Sequence, residues 1–305
     1  IMIYTITLNP SLDYYLDLPK LKLGSLNRST DARVVSAGKG INVSVMLNTL
    51  GVKSTILGFF GGFTGDYMLG QLGRYLNIHL RPTMIKGTSR INVKLIHDQE
   101  TELNAAGPEI NGSELNNLLN QLNTITPKDI VVISGSSTAN DKTGLIEQIV
   151  KYIIQRKIDF VLDVSGQELK KLIKYKPLII KPNLSEFQFL ADTEATDIKK
   201  LYPQAKKVAE ITQNRVLLSL GENGAIFVDK NKAYHVEAPQ VKVKHTVGAG
   251  DALLAGYMSK FEKTSDHKVS LAFAMALAVK KVEGGDITNL TELENLASTI
   301  KIKTL

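Results

Sequence analysis

The chain has no cysteine and no tryptophan, and only 6% of its residues are aromatic. Without thiols there can be no disulfide framework and no thiolate metal site. The five histidines are scattered, with no metal-ligand spacing and no Ser-His-Asp order. Long apolar stretches are also missing. The longest, Val269 to Val279, stops at Lys280-Lys281 and is too short to cross a bilayer, so no membrane partner is expected. Asn9, Pro10 and Asp13 interrupt the N-terminal stretch, so no secretory leader is read there and a cytoplasmic location is expected. Ile1 ahead of Met2 reads as lying outside the native start.

Charge of either sign is not concentrated. Lys and Arg exceed Asp and Glu by seven (37 against 30), but the excess is spread out apart from Lys170, Lys171, Lys174 and Lys176. A nucleic-acid binder concentrates basic charge and interleaves aromatics, so nucleic acid is not expected as a partner. A basic surface still suits small anionic substrates. With 305 residues and 43% hydrophobic content, the chain fits a globular protein of one large or two modest domains.

What the sequence does contain is a recurring strand-then-helix rhythm. Strands at Ile130–Ser134, Phe160–Asp163 and Leu178–Ile180 precede helices near 142–156, 167–174 and 185–190. Such repetition predicts an α/β fold, a mostly parallel sheet covered by helices on both faces. Val43, Met46, Leu47 and Leu50 fall on one helical face, with Gly51 as a stop. Ser54–Phe59 reads as a strand, 61–62 as a turn and 65–76 as a helix. Segments 216–220, 225–228 and 233–236 read as an antiparallel edge. Two long helices follow Gly250, and Thr291-Glu292-Leu293-Glu294 matches a capping box for the last. Polar, weakly alternating segments near 14–18 and 28–36, with a hairpin at 90–95 and 100–104 turning at His97-Asp98-Gln99, are expected to pair as a small β lid. That assigns 12–37 and 87–105 to a lid and 1–11, 38–86 and 106–305 to the core.

The chemistry-bearing stretch is Thr246-Val247-Gly248-Ala249-Gly250-Asp251, which opens a helix. Glycines let the backbone turn sharply, and the free amides of a helix start face outward at the positive end of the dipole. That suits an anion, and Asp251 beside it could take a proton from a hydroxyl. Phosphoryl transfer, being mostly positioning and charge stabilisation, needs such a pairing. The same residues also make an ordinary tight turn with an acid in the first helical turn.

Gly38-Lys39-Gly40-Ile41-Asn42 opens a second helix. Its amides and Lys39 could hold a phosphate and Asn42 could bind sugar hydroxyls, or the loop could simply shape a helix start. It is not a Walker A loop, because Arg33 stands at the first glycine position and Gly40 at the Ser/Thr position. Nor is it a dinucleotide fingerprint, since Val43 replaces the third glycine, which argues against a nicotinamide-dependent oxidoreductase. In Lys181-Pro182-Asn183-Leu184-Ser185-Glu186, Asn183 and Glu186 make a capping box. They could equally serve a Mg²⁺–nucleotide site through metal-bound water. Arg90, with Asn92 beside it in the hairpin, could clamp a phosphate or be a solvated strand residue. Asp13, beyond the first strand, could hold sugar hydroxyls or shape a turn.

Taken together, these residues resemble the ribokinase-like (PfkB) carbohydrate kinases. The matches are Asn9–Asp13, Gly38–Val43, Gly61–Gly65, Ser134–Ser136, Lys181–Glu186, Ser219–Gly221 and Thr246–Asp251, in family order over nearly the whole chain. Within the family, Arg90–Lys94 and Glu100–Asn104 look most like members acting on fructose 1-phosphate. The resemblance implies a three-layer α/β/α core with a β lid that commonly forms a dimer contact. It implies ATP, with Mg²⁺, phosphorylating the 6-hydroxyl of fructose 1-phosphate. Tagatose 6-phosphate or fructose 6-phosphate is the alternative acceptor, and a non-catalytic sugar-phosphate or nucleotide sensor the second alternative. Asp251 would be the base and the Gly248, Ala249 and Gly250 amides the anion hole. Asp13, Gly38, Asn42, Arg90 and Ser136 would bind sugar phosphate, helped by Lys39 and Arg28. Lys181, Asn183, Glu186, Ser219, Gly221 and Gly224 would line the ATP–Mg²⁺ side, with Asn183 and Glu186 on the metal through water. Ala37, Val45 and Ser137-Thr138 depart from the family pattern, all on the sugar-phosphate side.

Overall fold

The architecture comes from a computed structural model that describes residues 1–98, 100–137, 144–285 and 287–305. Fourteen strands and ten α-helices are assigned among these residues. The chain opens with β1 (Ile3–Thr7), β2 (Ser11–Asp17) and β3 (Asp31–Ala37), then α1 (Lys39–Thr49), β4 (Ser54–Phe60) and α2 (Gly62–Leu72). Next come β5 (Ile78–Met84), β6 (Arg90–Ile96), β7 (Glu100–Asn104), α3 (Gly112–Gln121) and β8 (Ile130–Ser134). The middle runs α4 (Leu145–Gln155), β9 (Asp159–Asp163), α5 (Gly166–Leu172), β10 (Ile179–Ile180), α6 (Leu184–Ala191) and α7 (Ile198–Thr212). The end is β11 (Arg215–Ser219), β12 (Ala225–Val228), β13 (Ala233–Val236), α8 (Ala249–Thr264), α9 (His267–Glu283), α10 (Leu290–Thr299) and β14 (Ile302–Thr304).

Ten strands form one sheet in the order β14-β13-β12-β11-β10-β9-β8-β1-β4-β5. From β11 to β5 every pairing is parallel; β12, β13 and β14 add an antiparallel edge. Apolar residues alternate in direction but are buried both ways. Val131, Ile133, Leu162, Val216 and Leu218 pack towards α3–α7, whereas Val132, Val161 and Leu217 pack towards α1 and α8–α10. A strand buried on both faces reads as a continuous apolar run, which is why the rhythm was visible in the sequence. Val43, Met46 and Leu47 of α1 and Leu50 at its C-cap are all buried, as their spacing predicts. This is the three-layer α/β/α fold expected.

β2 is the hub of a second sheet, in the order β3-β2-β6-β7. It pairs antiparallel with β3 and parallel with β6, so segments distant in sequence meet there. One face carries Asp13, Asn92 and Asn104 in register. The other carries Val34, Tyr14, Val93 and Leu103. Leu12 and Val34 anchor that apolar face onto Met68 and Leu72 of α2.

Several local expectations are corrected. The turn at 61–62 is the start of α2 itself, because Gly62 adopts φ +64 within the helix. The cap of α10 is Asn289, not Thr291: Asn289 Oδ1 accepts the Glu292 amide at 3.1 Å, and Thr291 lies inside the first turn. The helix expected at 142–156 is described from Leu145, residues 142–143 lying outside the described residues, as does Gln99 of the hairpin turn. The sequence pattern does not announce β5, α3, α7 and β14. Pro82 hides β5, which tolerates it as an edge strand. Pro203 and a stripe of small buried residues, Ala205, Val208 and Ala209, hide α7. No helix among the described residues is long and apolar enough to cross a membrane.

Candidate active site

The C-terminal ends of β1, β8 and β9 stand level, with Thr7, Ser134 and Asp163 in register across them. Ligands bind at this edge in open α/β sheets. Helices α1, α6 and α8 begin around it, so three positive dipole ends serve one region.

At the start of α8, Gly248 adopts φ +83, in the left-handed region that glycine tolerates, and no side chain caps the helix. The Ala249 amide makes a long 3.3 Å bond to the Thr246 carbonyl, whereas the first in-helix bond is Ala252 N–H to Gly248. Gly250 and Asp251 therefore have amides without an acceptor along the helix. Glycine at 250 has a separate reason. A Cβ there would stand 2.8 Å from Lys181 Nζ, so only glycine lets the ammonium lie against the cradle.

Asp251 is 5% exposed. The Asn42 amide donates to its Oδ2 at 2.8 Å, tying α1 to α8. Burial, reinforced by the negative charge of Asp163, pushes the Asp251 carboxyl up to about 6; Lys181, the Asn42 bond and Lys39 pull the other way. A carboxylate with a value near operating pH is matched to taking a proton from an alcohol.

Asp163 was read only as a strand end, yet it organises the cationic part of the site. It is fully buried, with Lys39 Nζ 3.0 Å from Oδ1 and Lys181 Nζ 3.2 Å from Oδ2, the latter an ion pair outside hydrogen-bond angles. Burial opposes its charge, but the two ammoniums prevail and hold its carboxyl below the usual range. Lys39 also reaches Glu186 Oε1 at 3.3 Å; burial works against its charge and the two carboxylates more than restore it. The available signal was an aspartate ending a buried strand of a parallel sheet, where ligand groups sit.

The capping box is real: Asn183 Oδ1 accepts the Glu186 amide at 2.8 Å, and Glu186 Oε2 accepts the Asn183 amide at 2.9 Å. Capping and site roles coincide, because the same Glu186 holds Lys39. Beyond it lies a cavity of about 530 Å³ lined by Asn183, Ser219, Gly221, Gly224, Ala249 and Gly250, with Leu253, Met275 and Ala278 as apolar wall. That is the size of a ligand pocket for a small molecule.

On the other side, Gly38 caps α1 at φ +140, and a Cβ there would meet Thr7 at 2.5 Å. Ser11 pairs with both Ala37 and Arg90, so the second sheet begins where α1 begins. Asp13 Oδ1 accepts from Ser11 Oγ at 2.7 Å and Asn92 Nδ2 at 3.0 Å. Arg90 donates to the Asn9 and Ala105 carbonyls at 3.3 and 3.0 Å. Two expected residues are exposed to solvent. Arg28 is exposed in the loop between β2 and β3, and Ser136 is exposed after β8, next to 138–143.

A sequence model described as pfkB family carbohydrate kinase matches residues 6–292. The chain belongs to that family. The pfkB relatives are similar end to end. A 1-phosphofructokinase of Borreliella burgdorferi is 34% identical over 304 residues, covering 99% of this chain and 98% of the other. A D-tagatose-1-phosphate kinase of Bacillus licheniformis is 30% identical, covering 99% of each. The crystal structure of Escherichia coli phosphofructokinase-2 in complex with substrates and products superposes with a TM-score of 0.91 at 26% identity, covering 98% of this chain and 99% of that one. The pfkB assignment makes this a carbohydrate kinase, and the cradle, acid and cavity are the parts such an enzyme needs.

Proposed function

We propose that this chain is a sugar-phosphate kinase that transfers the γ-phosphoryl group of ATP to the 6-hydroxyl of fructose 1-phosphate, giving fructose 1,6-bisphosphate and ADP. The observation carrying the reading is Asp251: buried, raised to about 6 and held by Asn42 at the tip of a glycine-kinked helix. The higher identity to a 1-phosphofructokinase than to a D-tagatose-1-phosphate kinase supports the acceptor.

In this reading Asn42 occupies Oδ2 of Asp251, leaving Oδ1 for the acceptor hydroxyl. Asp251 takes the proton as the alcohol oxygen attacks the γ-phosphorus; the bond to the β-phosphate oxygen breaks and ADP leaves. The Gly248 and Gly250 amides, and that of Ala249 once it leaves its long bond to Thr246, act with Lys39 and Lys181 to neutralise the migrating charge. The 530 Å³ cavity takes the nucleotide along Asn183, Ser219, Gly221 and Gly224. Mg²⁺ supplies charge neutralisation on the phosphates when bound. The described residues contain no group of three acidic or histidine side chains able to grip a metal directly. The donor set fits a hydrated ion, which Asn183 and Glu186 would hold through water.

Residues 12–37 and 87–105 act as the lid over the core formed by 1–11, 38–86 and 106–305. Asp13, Gly38, Arg90 and Ser136 hold the sugar phosphate on the lid side, with Arg28 contributed from the exposed loop. The lid's outer face, with Tyr14, Ile91 and Leu103 exposed, suits a homodimer contact. The enzyme works in the cytoplasm.

The test is a coupled ADP-release assay across fructose 1-phosphate, tagatose 1-phosphate, fructose 6-phosphate and tagatose 6-phosphate. The highest kcat/KM is expected with fructose 1-phosphate. A preference for either 6-phosphate would overturn the acceptor, and no turnover with any sugar phosphate would overturn the kinase reading.

A further inference from the structure

Among the described residues Lys39, Lys181 and Lys281 stand near the tip of α8, and of these Lys39 and Lys181 have counter-ions. Lys39 and Lys181 both pair with Asp163. The third is Lys281, in the last turn of α9. Its neighbour Lys280 pairs with Glu283 and Glu292. Lys281 has no ion pair or side-chain hydrogen bond among the described residues, and it is half-buried.

Two geometric facts aim it at the site. Met275 and Ala278 of α9 line the 530 Å³ cavity. Residues three apart share a helix face, so Lys281 is the next residue on that face, one turn towards the α9 C-terminus. The stem of Lys281 also crosses the start of α8: a Cβ on Gly248 would stand 3.2 Å from Lys281 Cε. Glycine at 248 thus serves twice. It permits φ +83, and it leaves room for a lysine stem to pass over the helix tip. A bare helix C-terminus would explain a lysine in the last turn. It would not explain why its stem lies against Gly248 at the tip of the neighbouring helix.

We infer that Lys281 is a further phosphate-binding residue of the donor subsite, donating from Nζ to the terminal phosphates of the nucleotide whose apolar part lies along Met275 and Ala278. This rests on the kinase reading above for the identity of the nucleotide. With Lys39 and Lys181 tied to a shared carboxylate, Lys281 is the cation of the three that can add its whole charge to the donor. Lys39 and Lys181 face the sheet edge, whereas Lys281 approaches from the α9 side.

The test compares Lys281→Met and Lys281→Arg with the unmodified protein by calorimetric binding of ADP and of adenosine in Mg²⁺ buffer, beside steady-state kinetics. A charge-assisted contact to phosphate predicts that Lys281→Met weakens ADP binding and raises KM for ATP about tenfold or more. Adenosine binding and KM for the sugar phosphate stay within twofold, and Lys281→Arg recovers most of the loss. Equal ADP binding in Lys281→Met, or parallel weakening of ADP and adenosine, overturns the inference. The binding arm needs no turnover. Failure of the acceptor panel would overturn the kinase reading, while the contrast between ADP and adenosine would still decide the role of Lys281.

Discussion

Replacing Asp251 by asparagine should make the protein more stable and nearly inactive at once. Asp251 is buried, and its carboxyl stands at about 6 instead of 3.8. A group whose value is raised in the folded state favours folding when protonated, and that advantage is lost as pH rises through the folded value. At pH 8 the carboxyl is ionised in both states, so the folded protein carries the whole cost, roughly 3 kcal/mol. Asparagine has the same shape and keeps a partner for Asn42, but no charge to bury. We expect a gain of about 1–3 kcal/mol in urea unfolding at pH 8, shrinking to about half at pH 5, where the folded carboxyl is mostly protonated already. Turnover should fall by roughly 10²–10⁴, the usual loss for a general base. In the unmodified enzyme kcat/KM should rise with unit slope through pH 6 and then level. A variant no more stable than the parent at pH 8, or a gain independent of pH, would refute the burial argument. Near-normal turnover would remove Asp251 from the chemistry.

Other perturbations isolate single contacts. Asn42→Ala removes a bond that lowers the Asp251 value, so the acid limb of kcat/KM should move upward from about pH 6, read from a pH–rate profile. Gly250→Ala favours the helix by roughly 0.5–1 kcal/mol, but its Cβ would stand 2.8 Å from Lys181 Nζ. The fold should survive, by circular dichroism, while kcat drops. Asp163→Asn leaves two ammoniums facing each other at a fully buried position, and denaturant unfolding should show a loss of about 3–5 kcal/mol. Because the Asp163 carboxyl lies below its ordinary value, its contribution is present above that ordinary value and fades only as pH falls into the acid range. Gly224→Ala places a Cβ 1.9 Å from the Val236 carbonyl at φ +86, at a buried position, so the melting temperature should fall sharply.

What was legible in the sequence came from local rules. Runs such as Ile130–Ser134 and Phe160–Asp163 announce strands buried on both faces, and the face of Val43, Met46, Leu47 and Leu50 announces α1. Glycines at 38, 248 and 250 mark helix starts because turn and close approach are properties of a few adjacent residues. Asn183 and Glu186 spell a capping box three residues apart. Elements held by tertiary context were hidden instead. β5 contains Pro82, which an edge strand tolerates, and α7 buries mainly small residues beside Pro203.

The sequence by itself determined the class of fold, the order of its parts and the helix tip that could receive a phosphate, since periodicity and glycine placement act over one or two turns of chain. Only the tertiary structure decided that Asp163 bridges Lys39 and Lys181, partners 124 and 18 residues away. It alone decided that Asn42 steadies Asp251 across 209 residues. Such pairings follow from strand order and register, which bring distant strand ends level, and the value of a charge there depends on how completely its neighbours exclude water.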